Sequence, residues 1–415
     1  MNSQLRADAD EIIKASISAV QPDEAVARAM KNFRGNGGRV ILVAIGKAAW
    51  QMAEAAAKYA ASSGLAIDEG ILVTKYGHSK GELPGITCYE AGHPVPDENS
   101  FMATERIIET VSNLTSADTV LFLVSGGGSA LFESPIIQKT ELEDITRQLL
   151  ACGAEIKEIN TIRKRLSRVK GGKFAKLCEP ARVFSIVLSD ILGDPLDMIA
   201  SGPAYPDSST SQDAQAIVEK YQLRLSSDAR KCLLEETPKS VDNVTTVITG
   251  SVRELAAAAE RKAGELGYQS IVLTDQLCCE AREAGSFLAS ILRTHCRDGQ
   301  KIAYIAGGET VVHLTGSGKG GRNQELALAA APGIADLPNA AVFSFGSDGT
   351  DGPTDAAGGY VDSDTFGTLH SCGVDVYEVL KNNDAYHALQ QTDGLILTGP
   401  TGTNVNDVAV ALLGG

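Results

Sequence analysis

The sequence lacks the features that mark membrane, secreted and nucleic-acid-binding proteins. No apolar run approaches the ~20 residues that a membrane-spanning helix needs. The net charge is −15 at pH 7, which argues against nucleic acid and anionic membranes as partners. The first ten residues contain acidic side chains and no apolar core, so we expect no signal peptide there. These absences predict a cytoplasmic protein.

Cysteine and histidine form no recognisable metal site in the sequence. The eight cysteines are scattered and include no C-x-x-C pair, and the six histidines show no spacing typical of metal ligands. We therefore expect the cysteines to be reduced thiols.

Two common nucleotide-binding motifs are also missing. Lys319 lies in a glycine-rich stretch but is followed by Gly320, where a P-loop requires Ser or Thr. The first predicted strand is followed by Gly46 alone, without the G-x-G-x-x-G fingerprint of dinucleotide-binding proteins. Any phosphate must therefore be held by other means.

Strand-like apolar runs alternate with helical patterns along most of the chain. The runs at residues 39–45 and 118–124 are continuous, as expected for strands buried on both faces of a parallel sheet. We predict two α/β domains, residues 1–236 and 237–415, the first containing a Rossmann-like, mostly parallel sheet. Because ligands bind beyond the carboxyl ends of strands in such sheets, we expect the active site in the inter-domain cleft.

Three further segments show local patterns of helices or of a hairpin. Residues 5–33 and 140–178 show helical patterns, and residues 307–314 suggest a short hairpin. These predictions depend on local pattern alone.

The most unusual stretch is residues 316–325, where a glycine-dense loop leads into a helix rich in Ala and Leu. Such a loop presents free backbone N–H groups and the positive end of the helix dipole, and Lys319 and Arg322 add positive charge. The stretch predicts a site for a phosphate or a carboxylate. A mobile surface hairpin with solvated charges is the alternative interpretation.

Two further loops follow predicted strands. Lys47 opens a helix directly after a buried strand, where it would hold a phosphate or carboxylate, unless it simply points to solvent. The loop at residues 125–129 combines backbone N–H groups with two hydroxyls, so it is a candidate phosphate cradle or a structural glycine turn. Its members are Ser125, Gly126, Gly127, Gly128 and Ser129.

Carboxylates at strand ends and in loops are candidates for metal binding and proton transfer. Asp190 lies just past a predicted strand, where it could hold Mg²⁺ or accept a proton from a substrate hydroxyl. Glu309 is a weaker metal candidate, and Asp194 resembles a helix cap. Asp351 lies among turn residues and is kept as a substrate-binding candidate. His93 is interpreted as a loop packing residue rather than a base.

A run of basic residues stands out in this acidic chain. On a helix these residues would spread around much of the circumference, so we interpret them as a solvated face, with attraction of an anionic ligand as the alternative. The run consists of Arg163, Lys164, Arg165, Arg168, Lys170 and Lys173.

These motifs together resemble the class II glycerate kinases, whose C-terminal part is called the MOFRL domain. The matching residues are 44–48, 91–97, 125–129, 189–194, 200–203, 307–310, 320–325, 346–352 and 401–407. They follow the family order over nearly the whole chain, without evident departure. The resemblance implies a kinase that phosphorylates D-glycerate with ATP and Mg²⁺ in a cleft between two α/β domains. It also implies that Lys47 and Arg322 are the key charged groups.

The residue types fit phosphoryl transfer, which requires positioning and positive charge more than covalent chemistry. Arg322 would contact the γ-phosphate and stabilise the transition-state charge, and Lys47 would hold the substrate carboxylate or bridge to the phosphate. Asp190 would orient the attacking hydroxyl or hold Mg²⁺. The resemblance favours the 2-hydroxyl of glycerate as the acceptor.

Two other functions remain open at this point. One is an NAD(P)H-dependent reductase of hydroxypyruvate, because relatives often carry that label, although the dinucleotide fingerprint is missing. The other is a sugar-phosphate-binding module without catalysis. A homodimer is one candidate oligomeric state.

Overall fold

The computed structural model describes residues 1–296 and 299–415. Its contacts divide the chain into two compact units, each treated separately below. The first unit is Ala25–Thr249, and the second unit combines Met1–Glu24 with Gly250–Gly415.

The first unit contains a six-stranded sheet in which every pairing is parallel. Its strands are β1 (Val40–Ile45), β2 (Glu69–Lys75), β3 (Ile86–Ala91), β4 (Thr119–Val124), β5 (Arg182–Val187) and β6 (Val244–Ile248). All residues of β1 and β4 are buried, which explains their continuous apolar sequences. The order β3-β2-β1-β4-β5-β6 reverses between β1 and β4, which makes the ends of these two strands the topological switch point. The predicted Rossmann-like parallel sheet is therefore confirmed.

Helices cover this sheet and fill the rest of the first unit. They are α2 (Pro22–Met30), α3 (Ala49–Ser63), α4 (Glu98–Val111), α5 (Gly128–Leu131), α6 (Lys139–Ala151), α7 (Ile156–Leu166), α8 (Lys173–Cys178), α9 (Ser211–Tyr221) and α10 (Ser227–Leu234). The helical stretch expected at residues 140–178 is divided into three helices. Gly153 and the pair Gly171 and Gly172 adopt positive φ angles between them, which interrupts an α-helix.

The second unit contains a mixed six-stranded sheet in the order β11-β10-β9-β12-β8-β7. Its strands are β7 (Gln269–Leu277), β8 (Lys301–Gly308), β9 (Ala340–Gly346), β10 (Gly358–Asp362), β11 (Leu395–Ile396) and β12 (Asp407–Gly414). Among the described strands of this sheet, β7 and β8 pair in parallel and the other pairs are antiparallel, with β12 lying between β8 and β9. Its helices are α1 (Ser3–Ala19), α11 (Val252–Glu265), α12 (Ala281–His295), α13 (Arg322–Ile334), α14 (Thr365–Ser371), α15 (Val376–Lys381) and α16 (Ala385–Gln390).

The division into units differs from the expected boundary between residues 236 and 237. Strand β6 lies beyond that boundary but extends the first sheet by pairing in parallel with β5. Helix α1 packs in the second unit, where Asp8 accepts a hydrogen bond of 2.6 Å from the Tyr268 hydroxyl and pairs with Lys301. Pro22 starts α2 as a separate helix, which divides the helical pattern expected at residues 5–33.

The hairpin expected at residues 307–314 does not form. Instead, the segment after β8 continues alongside the segment after β7 in the parallel direction. The Glu309 N–H donates to the Leu277 carbonyl at 2.8 Å, and the Val311 N–H donates to Cys279 at 3.0 Å. Across residues 1–296 and 299–415, no helix has the length and apolar character needed to span a membrane.

Candidate active site

Two loops of the first unit meet at the switch point between β1 and β4. Gly46, with φ 115°, lies so close to Ser125 that any side chain there would collide with it. The Lys47 N–H donates to the Gly126 carbonyl at 2.8 Å. The Ser125 hydroxyl accepts from the Ala48 N–H at 3.1 Å and donates to the Ile45 carbonyl at 3.3 Å. The backbone at Lys47 is therefore fixed against the glycine loop, residues 125–129.

The Lys47 side chain crosses the face of Gly127. A Cβ atom at Gly127 would lie 3.1 Å from Lys47 Cγ and 3.1 Å from His93 Cδ2, and φ is 86°, so this position requires glycine. Lys47 is partly exposed and forms no ion pair with any residue that the structure describes. It is therefore a cation available to a ligand.

Ser129 and Gly126 of the glycine loop contact other residues of the first unit. The Ser129 hydroxyl hydrogen-bonds to the Ser201 hydroxyl at 2.8 Å, and its carbonyl accepts from Arg163 at 3.1 Å and Lys170 at 2.9 Å. Both serine hydroxyls that were expected to face a phosphate thus bond within the protein, although either can also accept from another donor. The Asp190 carboxylate packs against Gly126 so tightly that a Cβ there would overlap it.

The basic run at residues 163–173 is not a solvated face, so that interpretation is wrong. Lys164, Arg165 and Lys170 are buried, and of the six residues only Arg168 is exposed. Lys164 pairs with Asp207 at 3.0 Å, and Lys170 pairs with Glu133 at 3.1 Å. The sequence pattern predicted the wrong environment for these residues because their carboxylate partners lie far away in sequence.

In the second unit, Arg322 is the first residue of α13 and contacts two carboxylates. Its Nε and Nη2 donate to the two oxygens of Asp407 at 2.5 and 3.1 Å, and its Nη1 donates to Glu309 at 2.9 Å. Burial works against its charge, but the hydrogen-bonded Asp407 and the nearby Glu309 raise the pKa of Arg322 above its usual value. The guanidinium is thus a permanent cation in a fixed plane, with 34% of its side chain exposed.

Asp351 caps the start of α13. Its carboxylate accepts from the backbone N–H groups of Asn323 at 3.1 Å and Gln324 at 2.9 Å, and from both side-chain amides. Burial is the larger influence and raises the pKa of Asp351 to about 6, against these hydrogen bonds. The sequence predicts a ligand anion at this helix start. At the N–H groups of Asn323 and Gln324, the Asp351 carboxylate occupies that place instead.

The glycine-rich loop before α13 is ordered by close contacts with residues 382–384. The N–H groups of Thr315 and Gly316 donate to the Asn383 side chain at 2.8 and 2.9 Å. The Lys319 N–H donates to Asp384 at 2.9 Å, and its ammonium lies 4.1 Å from the centroid of the Tyr386 ring. Neither the free N–H cradle nor the mobile hairpin describes this part of the loop. Gly320 and Gly321, which directly precede Arg322, are the part of the loop that remains for a ligand.

The sequence analysis missed Asp407 as a partner of Arg322. Asp407 is buried at the start of β12, in a motif that contributed to the family resemblance but received no role. Its pairing with Arg322 spans 85 residues, so no local pattern could reveal it. Glu133 and Asp207 were missed for the same reason.

Comparisons with known proteins identify relatives over nearly the whole chain. The model of the MOFRL family matches residues 302–407, and a domain of unknown function, DUF4147, matches residues 8–234. A D-glycerate 2-kinase of Thermotoga maritima is 52% identical over 409 residues, covering 97% of each chain. A putative hydroxypyruvate reductase of Agrobacterium vitis is 37% identical over 421 residues, covering 97% of this chain and 93% of the relative.

A solved structure gives the same result for the fold. The crystal structure of a glycerate kinase from Thermotoga maritima matches with a TM-score of 0.93 and 50% sequence identity, covering 99% of both chains. The fold and these relatives define a phosphotransferase. The chain belongs to the glycerate kinase family with a C-terminal MOFRL domain, as the resemblance in the sequence implied.

Proposed function

We propose that this chain catalyses the ATP- and Mg²⁺-dependent phosphorylation of D-glycerate at its 2-hydroxyl, giving 2-phospho-D-glycerate. The names of the relatives support the substrate and the reaction class. The structural observation that carries the proposal is the guanidinium of Arg322, held in one plane by Asp407 and Glu309 yet still partly exposed.

The donors of Arg322 suit a phosphoryl group. A guanidinium has five N–H donors, and within the described residues three of them bond to carboxylate oxygens. One N–H on each terminal nitrogen is left for an anion, which is the fork geometry that phosphate oxygens accept. Because the carboxylates already fix the side chain, little orientational freedom is lost when the phosphoryl charge develops.

The charge balance around Arg322 also favours a divalent cation. One arginine and two carboxylates leave this cluster with a net negative charge, which would repel a phosphate. Glu309 is 44% exposed, and only one of its oxygens bonds to Arg322, so the other fits Mg²⁺. Among the described residues no group of three or more Asp, Glu, His or Cys could hold a metal, but Mg²⁺ commonly uses one or two carboxylates plus substrate phosphates. Bound Mg²⁺ would neutralise charge on the transferred phosphoryl group.

The residues of the first unit supply the remaining roles. Lys47 would hold the carboxylate of glycerate or a phosphate, because its ammonium is partly exposed and unpaired within the described chain. The glycine loop at its side allows an anion to approach the backbone closely. Asp190 lies against Gly126 beside this loop, where it would orient the attacking hydroxyl or hold Mg²⁺.

The test is ADP release by the purified chain with D-glycerate, ATP and Mg²⁺, with the product resolved by ³¹P NMR. We expect glycerate-dependent ADP release and the signal of the 2-phosphate rather than the 3-phosphate. Arg322→Ala should lower kcat by ~10³-fold or more, and Arg322→Lys should not restore it, because an ammonium cannot bond to both oxygens of Asp407 in the same plane. The matched control is Arg147→Ala, at an exposed arginine.

The separate KM values assign substrates to residues. If Lys47→Ala raises KM for glycerate but not for ATP, Lys47 holds the glycerate carboxylate; the reverse result assigns it to the nucleotide. Wild-type protein that releases no ADP with glycerate would refute the proposed function.

A reductase of hydroxypyruvate is the second candidate, because relatives carry that name. The chain lacks the dinucleotide fingerprint after β1, so we expect no NADH oxidation with hydroxypyruvate. A sugar-phosphate-binding module without catalysis does not fit a family of kinases. The homodimer stays a prediction that size-exclusion chromatography with light scattering tests.

A further inference from the structure

His93 lies at the same glycine as Lys47. At Gly127, a Cβ atom would be 3.1 Å from His93 Cδ2, 3.2 Å from His93 Nε2 and 3.1 Å from Lys47 Cγ. The imidazole is partly buried, and neither ring nitrogen has a hydrogen-bond partner in the described chain. A polar ring held over a bare backbone without a partner is unusual for a residue whose only role is packing.

The groups that face His93 are predominantly positive. Lys47 lies at the end of β1, Lys75 is the last residue of β2, and His78 follows in the next loop. The His78 ring is fixed by a contact of 3.0 Å between its Nδ1 and the Lys47 carbonyl. Together these side chains place cationic or potentially cationic groups around His93.

The carboxylates of the neighbouring segments form hydrogen bonds elsewhere or pack at another glycine. Asp97, which lies against Gly92, accepts hydrogen bonds from the Tyr76 hydroxyl at 2.7 Å and the Ser100 N–H at 3.0 Å. Glu90 accepts hydrogen bonds from the N–H groups of Gly77 at 2.9 Å and Ser79 at 3.0 Å. Asp190 packs against the neighbouring Gly126, whereas the three atoms nearest to a Cβ at Gly127 belong to His93 and Lys47. The positive charge around His93 is therefore not balanced by a carboxylate at Gly127.

We propose that His93 contacts the anionic group of a substrate over Gly127, forming with Lys47 a two-sided clamp for a carboxylate or a phosphoryl group. The inference rests on the proposed function for the identity of that substrate, glycerate or ATP. It changes the interpretation of His93 from a packing residue to a binding residue.

The electrostatics agree with the clamp. Burial, together with the positive charges of Lys47, Lys75 and His78, lowers the pKa of His93, so the ring is neutral at pH 7 when no anion is bound. A bound anion stabilises the protonated ring and so opposes the lowering of the His93 pKa. Anion binding should therefore raise the pKa of His93. At pH values between the pKa of the free protein and that of the complex, the site should take up a proton when the anion binds.

The first experiment needs no substitution. The His93 ring is titrated by NMR in the wild-type protein, alone and with inorganic phosphate, D-glycerate or ATP. We expect its pKa to rise with at least one of these anions, and the anion that works distinguishes a phosphoryl site from a carboxylate site. A titration curve that none of them moves would overturn the proposal, whether or not the protein phosphorylates glycerate.

The second experiment measures the contribution to binding. His93→Asn and His93→Gln should raise KM for one substrate by ~10- to 100-fold, the range expected for a lost charge-assisted hydrogen bond, with a smaller change in kcat. His370→Asn, at an exposed histidine on α14, is the matched control and should leave KM unchanged. Unchanged KM values for both substrates would contradict the clamp. Raised KM with an unmoved wild-type titration would mark a structural role and would also contradict it.

Discussion

Removing the Asp351 carboxylate should destabilise the second unit more than any other single change in its loop. The carboxylate accepts four hydrogen bonds, at 2.9–3.3 Å, from Asn323 and Gln324. Both donor residues are at most 1% exposed, so water cannot replace the lost acceptor. Asp351→Ala therefore creates several unsatisfied buried donors at once.

The expected magnitude follows from these contacts. Loss of an N-cap costs about 1 kcal/mol, and each buried donor left without a partner costs about 1–3 kcal/mol. Because the four bonds share one carboxylate, their energies do not simply add, and we expect a loss of about 3–5 kcal/mol. Such a loss is a large part of the about 5–15 kcal/mol that stabilises a typical domain.

The assay is urea unfolding followed by circular dichroism, with hydrogen exchange of the α13 amides to locate the effect. Asp351→Asn, which keeps the shape and one acceptor, should fall between the wild type and Asp351→Ala. The matched control is Asp355→Ala, at an exposed aspartate of the same loop that bonds to the Tyr386 hydroxyl at 2.8 Å, and it should cost about 1 kcal/mol or less. An Asp351→Ala protein within about 0.5 kcal/mol of the wild type would refute the capping argument.

Three further predictions concern the first unit. Lys170→Met should cost up to about 3–5 kcal/mol in urea unfolding, because it leaves the buried Glu133 carboxylate with the longer ion pair to Arg163 at 3.7 Å, and the double variant with Glu133→Leu should recover part of that loss. Burial lowers the pKa of Lys170 to about 8, below its unfolded value of 10.5, so the folded state releases this proton first. The contribution of Lys170 to the free energy of unfolding should therefore rise between about pH 8 and 10. If the unfolding free energy of Lys170→Met changed with pH as steeply as that of the wild type in this range, the prediction would be wrong. Gly127→Ala should lower kcat/KM at least ~10-fold through strain and contact with Lys47, whereas Gly64→Ala, also at positive φ but in open space, should not.

Local patterns were sufficient for the central strands of the first unit, but they assigned the edge strand β6 to the other domain. The strands expected at residues 39–45 and 118–124 are β1 and β4 to within one residue, because buried parallel strands require continuous apolar sequence. The placement of Lys47 and the glycine loop at the ends of these strands followed from the same pattern. Their roles in catalysis stay predictions.

Partners distant in sequence were beyond such patterns. The cation of Lys164 is neutralised by Asp207, 43 residues later, and that of Arg322 by Asp407, 85 residues later. Hydrophobic periodicity predicts which side of a helix is apolar, but it does not predict which charged side chains are buried in ion pairs with distant residues. The basic run was therefore assigned to solvent, although its burial depends on carboxylates that other segments supply.

Helix α1 has a consequence for synthesis on the ribosome. It emerges before every strand, yet its Asp8 bonds to Tyr268, 260 residues further along. All strands of the first sheet are synthesised before α11, against which α1 packs. During that interval the apolar side of α1, including Leu5, Ile12 and Ile13, has no native partner, so the nascent chain presents a natural binding segment for a chaperone.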